Sequence, residues 1–183
     1  MKEFISISLL LIVCFTSCKQ HTSSKKNEET DSSIANIKME NMINQQFVGS
    51  WELQEWITES KYGKKEFPLG ADAIGQIKYE SNGTMSVMIM KNNRPQLLSE
   101  DPLQGHPDEG VIAFKGFIGY TGNYEVNLNS KQVVHTINIS SFPNWVGQNQ
   151  IRKFEFNDDK LTLSTDFIGP NKHKLVWSKI YFE

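Results

Sequence analysis

Val133–Phe156 reads VVHTINISSFPNWVGQNQIRKFEF. Side chains along a strand alternate sides, so the first arm sets Val133, His135, Ile137 and Ile139 on one face, against Val134, Thr136, Asn138 and Ser140. The second arm sets Arg152, Phe154 and Phe156 against Ile151, Lys153 and Glu155. Phe142-Pro143-Asn144-Trp145 and Gly147 supply the turn between them. Each arm thus places one donor-bearing polar side chain in an otherwise apolar row. Such a row is either a core holding a paired structural residue or the wall of a ligand cavity.

The same alternation extends in both directions. Upstream, Phe47, Gly49, Trp51, Leu53 and Ile57 share a face with Glu55, and Ser60–Ala71 is a loop by its Gly, Pro and charge content. Gly75, Ile77 and Tyr79 lead into Asn82-Gly83, a hairpin signal for a two-residue turn with positive φ twice. That turn sets Tyr79 opposite Ser86 and Ile77 opposite Met88, with Met90 on the same face. Lys91–Asp108 has no period and reads as a lid-like loop leading to a short amphipathic helix carrying Val111, Phe114, Lys115 and Ile118. Gly122, Tyr124, Val126 and Leu128 share a face of the next strand, and LTLSTDF and HKLVWSKIYF close the chain. About eight strands at this spacing imply an all-β, antiparallel sandwich or barrel, with one short helix in an insertion. The barrel is preferred because closure removes exposed edges.

The front of the chain reads differently. Residues 1–17 form a signal peptide: Lys2 precedes the apolar run Phe4–Phe15, too short to span a bilayer, and Thr16-Ser17-Cys18 follows. This resembles a bacterial lipoprotein signal, in which Cys18 becomes the acylated first residue; an ordinary secretory signal or an uncleaved anchor is the alternative. Residues 18–46 are polar and read as a tether, with a short helix over Ile34–Ile43. Residues 47–183 form the one folded domain. The expected location is the bacterial cell envelope, membrane-anchored through the lipid, with the outer membrane favoured. Cys14 and Cys18 are the only cysteines, which excludes thiol chemistry from the mature domain. A net charge of −2 without a Lys/Arg block argues against a nucleic-acid partner.

A series of phrases resembles the lipocalin-like domain family of small bacterial and fungal proteins. They include Gly49-Ser50-Trp51 with Leu53, Phe67-Pro68-Leu69-Gly70, Tyr79 with Asn82-Gly83, Tyr124-Glu125-Val126, His135, Phe142-Pro143-Asn144-Trp145, Arg152 with Phe154, and Leu175-Val176-Trp177. The resemblance spans roughly Phe47–Ile180 and implies a calycin-type barrel with a pocket for a small, largely apolar molecule. It departs from the wider lipocalin pattern in having no arginine near Trp177 to pack on Trp51.

Candidate ligand-binding residues are Arg152, His135, Tyr124, Tyr79, Met88 and Trp145. Arg152 is either an anchor for an acidic head group or a structural partner of Glu55 or Trp51. His135 is either a hydrogen-bonded core imidazole or a proton donor and acceptor for a ligand, with Tyr124 or Tyr79 as the nearby phenol. Met88 is either an adaptable pocket wall or gap-filling, and Trp145 either caps a pocket mouth or plugs the end. No metal or other cofactor is expected: His106, His135 and His173 lack ligand spacing, and His106-Pro107-Asp108-Glu109 reads as a loop. The function expected is binding of a small hydrophobic or amphipathic ligand. The alternatives are an isomerase or cyclase using His135 and Tyr124, and an interaction module with a filled barrel.

Overall fold

The computed structural model describes residues 41–101 and 103–181, with Ile34, Lys38 and Met39 before them. The expected signal peptide, Cys18 and most of the expected tether lie outside the described residues. The chain divides into units Met1–Met39 and Glu40–Glu183. In the first unit Ile34, Lys38 and Met39 are helical and exposed.

The second unit begins with a helix, α1, over residues 41–47. Among the described residues nine strands follow: β1 (Gly49–Ser60), β2 (Lys65–Glu66), β3 (Ile74–Tyr79), β4 (Thr84–Met90), β5 (Phe117–Asn127), β6 (Gln132–Ser140), β7 (Asn149–Asn157), β8 (Lys160–Ser164) and β9 (Asn171–Lys179). Eight pair antiparallel in the order β1-β3-β4-β5-β6-β7-β8-β9, and β9 returns to β1 to close a barrel. The two-residue β2 folds back on the end of β1, outside the ring.

Three local features decide which side chains face inward. At the β3–β4 turn, Glu80 N donates to Thr84 O and Gly83 N to Glu80 O, leaving a three-residue loop with only Gly83 at positive φ, 84°. This is a turn ending in a left-handed glycine, not the two-residue turn expected from Asn82-Gly83. The register moves by one residue, pairing Tyr79 with Met85 and Ile77 with Val87. Met88 and Met90 therefore turn outward, correcting the expected face.

In β1 the register with β9 shifts between Leu53 and Glu55, so Gln54 is an extra residue. A bulge reverses the alternation beyond it. Trp51 and Leu53 face inward before it, Trp56 and Thr58 after it, and Glu55 does not. In β6 the register with β5 shifts similarly at Asn138, which turns Ile139 out to 67% exposure. Gly122 is what admits this crossing: a Cβ there would stand 1.9 Å from the Thr136 carbonyl oxygen.

One end of the barrel is filled. Phe47 ends α1 instead of opening a strand, and its ring meets Tyr79, Phe154 and Phe156 edge-on at 5.1, 5.1 and 4.9 Å. Trp51 Nε1 donates to the Phe47 carbonyl at 2.8 Å. The contact an arginine would make on Trp51 is made by Lys179, whose Nζ lies 4.3 Å from the ring centroid and donates to the Gln46 and Val48 carbonyls at 2.9 and 2.6 Å.

The insertion before β5 holds α2 (Pro107–Lys115). Its start is a capping box, in which His106 Nδ1 accepts from Asp108 N while the Glu109 carboxylate accepts from His106 N. His106–Glu109 is thus a helix start and not a loop. Ile118 lies beyond Gly116, in β5 and not in the helix.

Candidate functional site

The other end is hollow. A cavity of about 290 Å³ is walled by Ile77, Val87, Ile89, Ile118, Leu163 and Leu175, with Trp56, Tyr120, Trp145, Arg152, His173 and Trp177 as its polar-tipped members. Pro68 and Ile168 come from the connections at that end. Arg152, Trp145 and Ile168 also border a wider depression of about 420 Å³, so the two spaces meet at these residues. Trp145 closes a 3-10 turn over Pro143–Trp145, and its ring meets Tyr120 and Phe142 edge-on, each at 5.6 Å.

Arg152 is 8% exposed, yet no ion pair among the described residues includes it. Its aligned bond is Nη1 to the neighbouring Ile151 carbonyl at 3.1 Å, and its side chain also lies in hydrogen-bond range of the Tyr120 hydroxyl. The β1 bulge explains the missing carboxylate, because it puts Trp56 inside where unbroken alternation would put Glu55. Trp51, the other expected partner, is covered by Lys179. The cation therefore acts on whatever surrounds it. After burial, its charge is the second cause holding His135 and His173 below the usual histidine range, and it opposes the upward push that burial gives Tyr79 and Tyr120.

His135 lies behind the cavity wall. Its Nε2 is 2.8 Å from the Tyr79 hydroxyl and its Nδ1 3.1 Å from the Tyr120 hydroxyl. Burial, then Arg152, lowers its pKa to about 3, so the ring is neutral at ordinary pH. Tyr120 is enclosed by the barrel but retains surface, because that surface is cavity wall. At the cavity's other side, Trp56 Nε1 donates to His173 Nδ1 at 3.2 Å, which leaves His173 Nε2 to carry the proton of the neutral ring.

The sequence-predicted residues separate into groups. Arg152 and Trp145 line the cavity; His135 and Tyr79 stand behind it and reach it through Tyr120. Tyr124 belongs to the filled end, its ring 4.8 Å from Tyr79 and its hydroxyl donated to the Glu80 carbonyl at 3.1 Å. It gives His135 no hydrogen bond, although the two are register partners. Met88 is on the outer face, 51% exposed. Tyr120, Trp56, His173 and Trp177 were missed. Tyr120 and Trp56 lie next to bulges, whose position no alternation pattern announces, and Trp177 enters the sequence reading only within the family phrase Leu175-Val176-Trp177.

With this geometry in hand, the matching family model is the lipocalin-like domain, over residues 48–180. The chain belongs to the lipocalin-like domain family. Among curated proteins, the chain is similar to a 4'-hydroxy-3'-methoxypropiophenone carrier protein of Aspergillus oryzae, 31% identical over 87 residues, 44% of this chain and 78% of the relative. A redesigned β-barrel of known structure is similar at a TM-score of 0.40 and 10% identity, over 75% of this chain and 95% of that one.

Proposed function

We propose that this lipocalin-like chain is a cell-envelope lipoprotein, anchored through Cys18, that carries a small, predominantly apolar molecule in the hollow half of its barrel. The observation that carries the reading is Arg152: a buried guanidinium beside an apolar cavity, with no carboxylate paired to it among the described residues. Burying an unpaired charge is costly, so a ligand whose polar end meets Arg152 stabilises the protein as it binds. The cavity's size is at the small end of pockets that enclose organic ligands, about 300 Å³. That a relative is described as a carrier of 4'-hydroxy-3'-methoxypropiophenone supports a carrier role here.

Carriage is favoured over isomerase or cyclase chemistry. A general base works best with a pKa near the working pH, and an imidazole protonated only near pH 3 is a weak one. The Tyr124 hydroxyl, the partner such chemistry was expected to use, is committed to the Glu80 carbonyl. The cavity itself weighs against a filled interaction module.

An anilinonaphthalene sulfonate probe tests the site. It is expected to brighten in the wild-type chain, to bind about tenfold or more weakly to Arg152→Leu, and to be excluded from Leu163→Trp, which fills the cavity. Equal binding to all three folded proteins would place the probe elsewhere and refute the site. The anchor is tested separately: Cys18→Ala should move the chain out of the membrane fraction, and unchanged fractionation would remove the lipoprotein reading.

A further inference from the structure

We infer that the cavity selects a ligand whose polar end presents hydrogen-bond acceptors and no donor, a carboxylate or ketone oxygen, received by the Tyr120 hydroxyl together with Arg152. The inference rests on the carrier reading and deepens it. Its basis is the direction of every polar side chain around the cavity.

Tyr79 is fully buried, and its hydroxyl has one hydrogen-bond partner among the described residues, His135 Nε2. If Nε2 carried the proton, the Tyr79 hydrogen would be stranded in the core, at the cost of an unsatisfied buried donor. So Tyr79 donates to Nε2, and the neutral ring carries its proton on Nδ1. Nδ1–H then donates to the Tyr120 oxygen at 3.1 Å. The Tyr120 hydrogen is left over, and Tyr120 lines the cavity.

The remaining groups point the same way. Arg152 can only donate. His173 has its acceptor nitrogen filled by Trp56, so it offers Nε2–H. Trp177 Nε1 is buried without an acceptor among the described residues. Among the described residues, no Asp, Glu, Asn, Gln, Ser or Thr side chain lines this cavity. An alcohol, amine or amide N–H entering it would lose its water and find only the Tyr120 oxygen, which already accepts from His135 and lies in hydrogen-bond range of Arg152, whereas a carbonyl or carboxylate oxygen would meet donors already in place. His135 and Tyr79 are positioning residues in this scheme, acting through Tyr120.

The test uses the full chain and three probes of one skeleton: phenylpropanoate, phenylpropanone and phenylpropylammonium. Binding is read from the fluorescence of the cavity tryptophans. The propanoate and the ketone are expected to bind and the ammonium to bind at least about tenfold more weakly. Tyr120→Phe should weaken both oxygen probes about tenfold, and Arg152→Gln the propanoate more than the ketone. A propanoate preference lost in Arg152→Gln assigns an acid as cargo; equal retention of the ketone assigns a neutral carbonyl. In the ligand-free protein, nitrogen NMR of the His135 ring should show Nδ1 protonated and Nε2 bare, with the proton redistributed in Tyr79→Phe. The opposite tautomer, or an ammonium bound as well as the ketone, overturns the inference and leaves the carrier reading standing. If no probe of the three binds the folded protein, the carrier reading falls as well.

Discussion

His135 shows how one residue ties stability to the site. Its folded pKa of about 3 lies below the ordinary 6.5, so between those values the unfolded chain binds more protons than the folded one. Stability from this residue is fully present above about pH 6.5 and is lost as pH falls toward 3, with a slope approaching about 1.4 kcal/mol per pH unit. Urea unfolding across this window should show a steeper acid loss in wild type than in His135→Gln; parallel curves would mean that the imidazole is not desolvated. Lys179 works at the other end of the barrel. Lys179→Met keeps the apolar stem over Trp51 but removes the cation and both carbonyl contacts, and is expected to cost about 1–2 kcal/mol in the same assay. The apolar inward row of the second arm was legible, since Arg152, Phe154 and Phe156 do share a face. That Arg152 would lack a carboxylate was not legible, because Glu55 sits at the right parity in the sequence and is displaced only by a bulge.

At the level of elements, the bulges and one turn set the chemistry. The bulge at Gln54 brings in Trp56 and takes out Glu55; the crossing at Asn138 leaves Tyr120 opposite Ser140 and within reach of His135. A strand's periodicity states which residues alternate but not where an extra one resets the count. This is why the strands were readable and the cavity wall only in part. The Asn82-Gly83 signal marked the hairpin correctly, but the loop length it takes, which fixes the register and expels Met88, depends on a single backbone conformation at Gly83. Gly122→Ala tests the tightest of these features. Its Cβ would collide with backbone and not with a movable side chain. It is expected to lower stability by about 3 kcal/mol, read from the denaturation midpoint, and a loss near zero would show that the β5–β6 crossing is looser than described.

Across the whole molecule the barrel is divided in two. An aromatic stack around Phe47 fills one end and gives the fold its closed, rigid base, while the other end keeps a donor-lined space. Eight strands allow either outcome, since a barrel of this size is wide enough to be packed by side chains or to hold one small ligand. Closure and strand count could therefore be read from spacing, but the half-and-half filling could not. It depends on Phe47 leaving the first strand to become a plug. In the proposed function the hollow half holds a small molecule by its oxygen-bearing end at Arg152. Native mass spectrometry of the chain purified from its own cells, beside Arg152→Leu of matched stability, addresses this most directly. A bound small acid or carbonyl compound in the wild type that is absent from the variant is the predicted result. A wild-type chain that is empty, or a variant that keeps the same cargo, would contradict it.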